Sequence, residues 1–220
     1  MRSSILSLLT GFMVFATQAQ ATTETHVSND FGFIASEIQK LAAKNTPSEI
    51  LIAFDIDKTL LIVQDCLPEG ESKGLAGWMK MVGKCPADVT DPRVAASVAT
   101  LQEAGFHTLA LTARPASVKA ATLRELRRNK IEFAGRPFDA TSNFTQKFPK
   151  GADLVFEAGV SYANGRNKGF ILQQLQLKQA QPYELVVFVD DDSKNIRNME
   201  SAYADDPQTH VIIYHYNQYK

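Results

Sequence analysis

The stretch LIAFDIDKTLLI, residues 51–62, carries Asp55 and Asp57 inside an apolar run. Carboxylates are rarely fully buried unless they are paired or bound to metal. The apolar residues 50–54 are too few for a helix and suit a strand of a buried parallel sheet. A strand that stops at Phe54 and points an acidic tip into a site meets both constraints.

The chain repeats this device. ELVVFV, residues 184–189, runs into Asp190-Asp191-Asp192. In open parallel sheets, ligands bind beyond the carboxyl ends of the strands, where the strand order reverses. If the two strands are neighbours, their carboxylates converge, repel and raise one another's pKa. A hard divalent cation with oxygen ligands relieves this, and Mg²⁺ suits a small site that keeps water and meets a phosphate. One acidic tip is also what a solvated turn looks like; two on buried strands are far less common.

The rest of the chain alternates helix and strand. Helices are expected over 31–44, 94–104, 115–129, 168–177 and from Asp192 to about Tyr203. Strands are expected over 106–111, 131–133, within 153–163 on both sides of a turn, and over 210–216. This predicts an α/β fold: a Rossmann-like three-layer sandwich with a mainly parallel central sheet and a small cap or insertion. Two stretches break the rhythm. Residues 61–92 hold Pro68, four glycines, Cys66, Cys85 and Trp78, and read as a small cap. Residues 134–152 hold Phe138, Phe144 and Phe148, and read as a long loop beside the site or as decoration packed by its own aromatics. Trp78, Met79 and Met81 either line a lid or form the cap's own core.

The N-terminus reads as a cleaved secretory signal, residues 1–21. Arg2 precedes an apolar stretch from Ile5 to Ala16, and Ala19-Gln20-Ala21 supplies small residues for cleavage. An uncleaved anchor is the alternative, although the stretch is short for a bilayer, so no stable membrane span is expected. Residues 22–220 then form one domain with a periplasmic or secreted location. Losing Arg2 takes the formal net charge from −1 to −2, which gives no global attraction to nucleic acid or anionic lipid. No basic stripe interleaved with aromatics gives a nucleic-acid-binding signature. In an oxidising compartment the two cysteines are expected to pair, closing a loop worth about 3 kcal/mol, with two free thiols as the alternative.

Two further pieces suit phosphate. The strand 106–111 ends in Thr112-Ala113-Arg114-Pro115 at a helix start, where a hydroxyl and a free amide make a phosphate cradle. Lys168 also opens a helix and brings an ammonium to phosphate or to the acids. Singly, Thr112 is an ordinary cap and Lys168 a solvated cation.

Together these motifs resemble the haloacid dehalogenase-like superfamily, over about residues 50–216. DIDKT fits its D-x-D-x-T signature; Thr112 in ALTARP is similar to the second motif, and Lys168 in NKG to the third. VFVDDDSKN fits the D-D-x-x-x-N form of the fourth, through Asp190, Asp191 and Asn195. The resemblance implies that Asp55 is a nucleophile forming an aspartyl-phosphate, and Asp57 a general acid and base. It implies Mg²⁺ held by Asp55, the Asp57 backbone carbonyl and Asp191, with Asp190 ligating directly or through water. It places Thr112, the Ala113 amide and Lys168 on the phosphoryl group, and Thr59 and Asn195 as supports. Members that dehalogenate lack an aspartate at position 57, so Asp57 favours a phosphatase or phosphotransferase. The chain looks like an exported bacterial branch acting on a small phosphorylated substrate, a phosphorylated macromolecule being the alternative. A non-catalytic exported binding protein and a D-x-D glycosyltransferase are the other readings. Arg114 either touches substrate or faces solvent; Lys58 reads as solvated and the four histidines as structural. Substrate and oligomeric state are not legible.

Overall fold

The apolar runs become the middle of a sheet because helices cover both of its faces. The computed structural model describes residues 22–133 and 143–219. Residues 1–21, which the sequence reading takes as a secretory signal, and residues 134–142 of the expected long loop lie outside the described residues. Ten strands and six helices are described: β1 (Thr23–Ser28), α1 (Phe31–Lys40), β2 (Ile50–Phe54), β3 (Leu61–Val63), α2 (Gly74–Lys84), β4 (Ala87–Val89), α3 (Val94–Glu103), β5 (His107–Thr112), α4 (Lys119–Arg128), β6 (Phe144–Gln146), β7 (Leu154–Glu157), β8 (Val160–Tyr162), α5 (Lys168–Gln176), β9 (Leu185–Asp190), α6 (Ser193–Tyr203) and β10 (His210–Tyr216).

Eight strands form the central sheet, in the order β1-β10-β9-β2-β5-β8-β7-β6. Pairing is parallel from β1 to β8, and antiparallel at β7. Period-two alternation divides each inner strand between two cores. Ile50, Ile52 and Phe54 pack with α1 and α3, through Phe31, Ile34, Val94 and Val98. Leu51 and Ala53 pack with α5 and α6, through Ile171, Leu172, Ile196 and Met199. This is the three-layer α/β sandwich expected from the sequence. From β2 the chain moves outward to β5 and β8, then returns through α5 to β9 on the other side of β2. The strand order therefore reverses between the two acid-tipped strands.

Three local readings need correction. Residues 131–133 form no strand, because β8 already pairs beside β5; Ile131 and Phe133 instead fill the core. Gly159 has φ +75°, and a Cβ there would lie 2.1 Å from the Phe133 carbonyl oxygen, so the β7–β8 turn and this segment press together. In the stretch 134–152, residues 144–146 form edge strand β6, four strand spacings or about 19 Å from β2. There Phe144 stacks on Phe156, and Phe148 meets Phe170 under the Arg166 guanidinium. The predicted helix over 31–44 is α-helical to Lys40 and ends in a 3₁₀ turn.

Between β2 and α3, β3 and β4 pair as a small antiparallel ribbon with α2 between them. Cys66 and Cys85 form a disulfide across it. Trp78, Met79 and Met81 are half-buried, while Gly77 and Val82 are the buried residues of α2. The ribbon is tied to α4 by buried Glu125, which accepts from the Ala87 amide (2.9 Å), Arg124 Nε (2.8 Å) and Arg128 Nε (2.7 Å). Burial alone would raise the Glu125 pKa, but Arg124, the Ala87 amide and Arg128 outweigh it and hold it below the ordinary 4.5. A depressed folded pKa gives stability that is present above that ordinary value and is lost as pH falls through the lowered one. Glu125→Gln is expected to cost about 1–2 kcal/mol at neutral pH, or a melting temperature about 3–6 °C lower. The variant's melting temperature should also fall less steeply on acidification than that of the wild type.

Candidate active site

Register brings the acidic tips together. Phe54 pairs with Val189, and the Asp55 amide donates to the Val189 carbonyl at 2.8 Å. One carboxylate oxygen each from Asp55, Asp190 and Asp191 lie within 4.8 Å of one another. Asp55 is 5% exposed, Asp190 is fully buried and Asp191 half-buried. Lys168, the first residue of α5, reaches them from across the sheet. Its helix is capped by Asn167, which accepts from the Phe170 amide at 3.0 Å. The buried Lys168 Nζ pairs with Asp55 Oδ1 and donates to Asp190 Oδ2 at 2.7 Å. Asp190 is fixed further: the Asp192 amide donates to Oδ1 at 2.8 Å, and Asn195 Nδ2 donates to both oxygens at 3.1 Å.

One buried ammonium therefore faces three carboxylates. Burial pushes the Asp55 carboxyl well above the usual carboxylate range; Lys168 opposes this, while Asp190 and Asp57 add to it. Burial and then Asp190 push Asp191 up to about 6, against Lys168 and Lys58. Burial would lower the Lys168 pKa, but Asp190 and Asp55 overcome it and hold the ammonium charged. Hard oxygen donors carrying excess negative charge fit a divalent cation.

The second aspartate is set by a tight turn. The Ile56 carbonyl accepts from the amides of Leu60 (3.0 Å) and Leu61 (2.8 Å). Closing that turn puts Lys58 in the left-handed region, φ +60°, a conformation that costs a side-chain-bearing residue about 1–2 kcal/mol. The side chain of Asp57 is 29% exposed, and its carboxylate meets the buried Arg114 guanidinium. Arg114 Nε donates to Oδ2 at 2.9 Å and a terminal nitrogen donates to Oδ1 at 2.8 Å. Thr112 is fully buried at the tip of β5, and its Oγ1 accepts from the Arg114 amide at 3.1 Å. The Ala163 amide donates to the Thr112 carbonyl (2.8 Å), and the Gly165 amide to the Ala113 carbonyl (2.9 Å). The β5 tip is thus strapped to the loop that leads to Lys168. Thr59 enters through its backbone: its carbonyl accepts from Thr90 Oγ1 at 2.6 Å, while its own buried hydroxyl has no hydrogen-bond partner among the described residues.

A family model described as "Protein of unknown function (DUF2608)" matches residues 77–220, about two thirds of the chain. The chain belongs to the DUF2608 family. In this DUF2608 member the matched region contains Thr112, Ala113, Lys168, Asp190, Asp191 and Asn195; Asp55, Asp57 and Thr59 precede it. Two solved structures of the class C acid phosphatase from Bacillus anthracis are similar to it, the second with tungstate bound. The first is 17% identical over 85% of this chain and 77% of that one, the second 19% over 86% and 76%, each with a TM-score of 0.49. No curated protein matches the chain. Among the described residues, no helix is long and apolar enough to cross a membrane.

The structure gathers the predicted site residues at one end of the sheet, in two groups. Asp55, Asp190, Asp191, Lys168 and Asn195 form the first; Asp57 and Thr112 meet through Arg114 in the second. The Asp57 carboxylate is not one of the three clustered acids; it pairs with Arg114 instead. Two residues gain a place that sequence reading did not give them. Arg114 is buried and ion-paired rather than facing solvent. The ring nitrogen Nε2 of His215 lies 3.0 Å from the Asp191 carbonyl, because β10 runs in register with β9 and sets His215 opposite Asp190.

Proposed function

We propose that the protein is a Mg²⁺-dependent phosphomonoester phosphatase that works through an aspartyl-phosphate at Asp55. The observation that carries this reading is the meeting of Asp55, Asp190 and Asp191 around Lys168, with Asp57 two residues from Asp55 and open to solvent on one side. The site's own residues supply the reading; the distant structural likeness adds nothing to it.

In this mechanism the Asp55 carboxylate attacks phosphorus in line, forming an acyl-phosphate bond as the bond to the leaving oxygen breaks. Asp57 gives its proton to that oxygen, so the alcohol departs neutral. Asp57 then takes a proton from the water that attacks phosphorus, releasing phosphate and restoring Asp55. Lys168, the Thr112 hydroxyl and the Ala113 amide hold the phosphoryl oxygens. Asp55, Asp191 and the Asp57 carbonyl would hold the cation, which supplies positive charge beside the transferring phosphoryl group. Asp190, whose two oxygens are already hydrogen-bonded, would support the cation directly or through water, and Asn195 keeps it oriented. The 61–92 insertion acts as a small cap, and the substrate is a small phosphorylated molecule. The Cys66–Cys85 disulfide supports a periplasmic or secreted location.

Purified protein should hydrolyse p-nitrophenyl phosphate, nucleotides or sugar phosphates with Mg²⁺, and lose that activity in EDTA. Folded protein with no metal-dependent turnover on such a panel overturns the reading.

A further inference from the structure

Arg114 is 1% exposed, and a buried guanidinium must be paired. Its partner is the Asp57 carboxylate, gripped at both oxygens, a planar fork that allows the carboxylate one orientation. The fork is itself anchored. Another terminal nitrogen donates to Thr122 Oγ1 at 3.0 Å, and that hydroxyl donates to the Val118 carbonyl at 3.0 Å. A chain of contacts thus runs from α4 through Arg114 to Asp57, and fixes a side chain that would otherwise stand on a solvent-facing turn. The pairing also leaves Arg114 little freedom to turn toward a phosphoryl group.

We propose that Arg114 is a positioning residue that holds the Asp57 carboxyl on the leaving-group side of the phosphorus and so determines which leaving groups the enzyme can expel. This rests on the phosphatase reading above. Asp57 gives its proton to the leaving oxygen from the place where the fork holds it. An alkoxide is a poor leaving group and needs that proton; a nitrophenolate leaves without it. Loss of Arg114 should therefore fall on alkyl phosphates and spare activated aryl phosphates.

The test compares kcat and KM for wild type, Arg114→Lys and Thr122→Val, on p-nitrophenyl phosphate and on ethyl phosphate, with Mg²⁺ present and folding checked by thermal melting. Arg114→Lys keeps the charge and loses the fork. Its kcat/KM on ethyl phosphate should fall about 100-fold, and on p-nitrophenyl phosphate less than about 5-fold, because kcat/KM covers only the steps through loss of the leaving group and leaves out the later water attack, which is common to both substrates. Thr122→Val frees the fork without touching Asp57, and should show the same selectivity at about 10-fold. Should Arg114→Lys fail to fold, Thr122→Val decides. Equal losses on both substrates overturn the proposal in favour of a structural role. A rise in KM with kcat unchanged overturns it in favour of direct phosphate binding. A folded wild type inactive on both substrates overturns the phosphatase reading, and this inference with it.

Discussion

Replacing Lys168 with methionine is expected to destabilise the metal-free protein by about 3–5 kcal/mol, lowering its melting temperature by about 10 °C or more. The side chain is wholly buried, and its ammonium is the cation paired with Asp55 and Asp190. Methionine keeps much of the volume and removes the charge. The three carboxylates within 4.8 Å are then left without their buried counter-charge, and Asp190 has no solvent to turn to. Its remaining contacts, the Asp192 amide and Asn195, are neutral donors and offset only part of the loss. Added Mg²⁺ should raise the melting temperature of Lys168→Met more than that of wild type, because the cation would restore the missing positive charge. Calorimetry in EDTA and then in excess Mg²⁺ reads both effects. A variant that melts within about 2 °C of wild type in EDTA would show that Lys168 does not neutralise the cluster.

How these charges meet was partly legible in the residue order. An apolar run ending in acid is visible in a single line of sequence, and it occurs at both 50–57 and 184–192. Parallel strands between helices place such tips at one end of the sheet, so their adjacency followed once both were read as inner strands. Other features have no such local signal. β1, TETHVS, has a single aliphatic residue; it is a strand because its backbone pairs with β10, and backbone pairing leaves no trace in composition. Residues 131–133 have strand-like chemistry but no free sheet edge beside them. Arg114 and Asp57 are 57 residues apart, and their pairing depends on β5 lying next to β2. A clue was present all the same: an arginine directly beyond the tip of a strand that neighbours an acid-tipped one has a carboxylate within reach. Lys58 had no reason in the sequence to be singled out, since its constraint is the φ forced on it by a turn.

Asp55→Asn should abolish turnover, lowering kcat by about four orders of magnitude or more, while leaving the fold intact. In the proposed mechanism the oxygen that attacks phosphorus is then lost, and an amide cannot form the acyl-phosphate. The stability effect should differ from that of Lys168→Met. Burial already disfavours the charged form of Asp55, and Asp190 and Asp57 add repulsion. A neutral side chain relieves both, while Lys168 keeps Asp190 as its partner. The metal-free variant is therefore expected to melt at or above the wild-type temperature. The two substitutions remove opposite charges from one ion pair, so both should silence the proposed phosphatase activity while their melting temperatures move apart. Beryllofluoride, which mimics an acyl-phosphate on a carboxylate, should be retained by wild type with Mg²⁺ and not by Asp55→Asn. If the variant keeps a tenth of wild-type turnover, or retains beryllofluoride, the nucleophile is not Asp55, and the carboxylate cluster serves some purpose other than carrying phosphate.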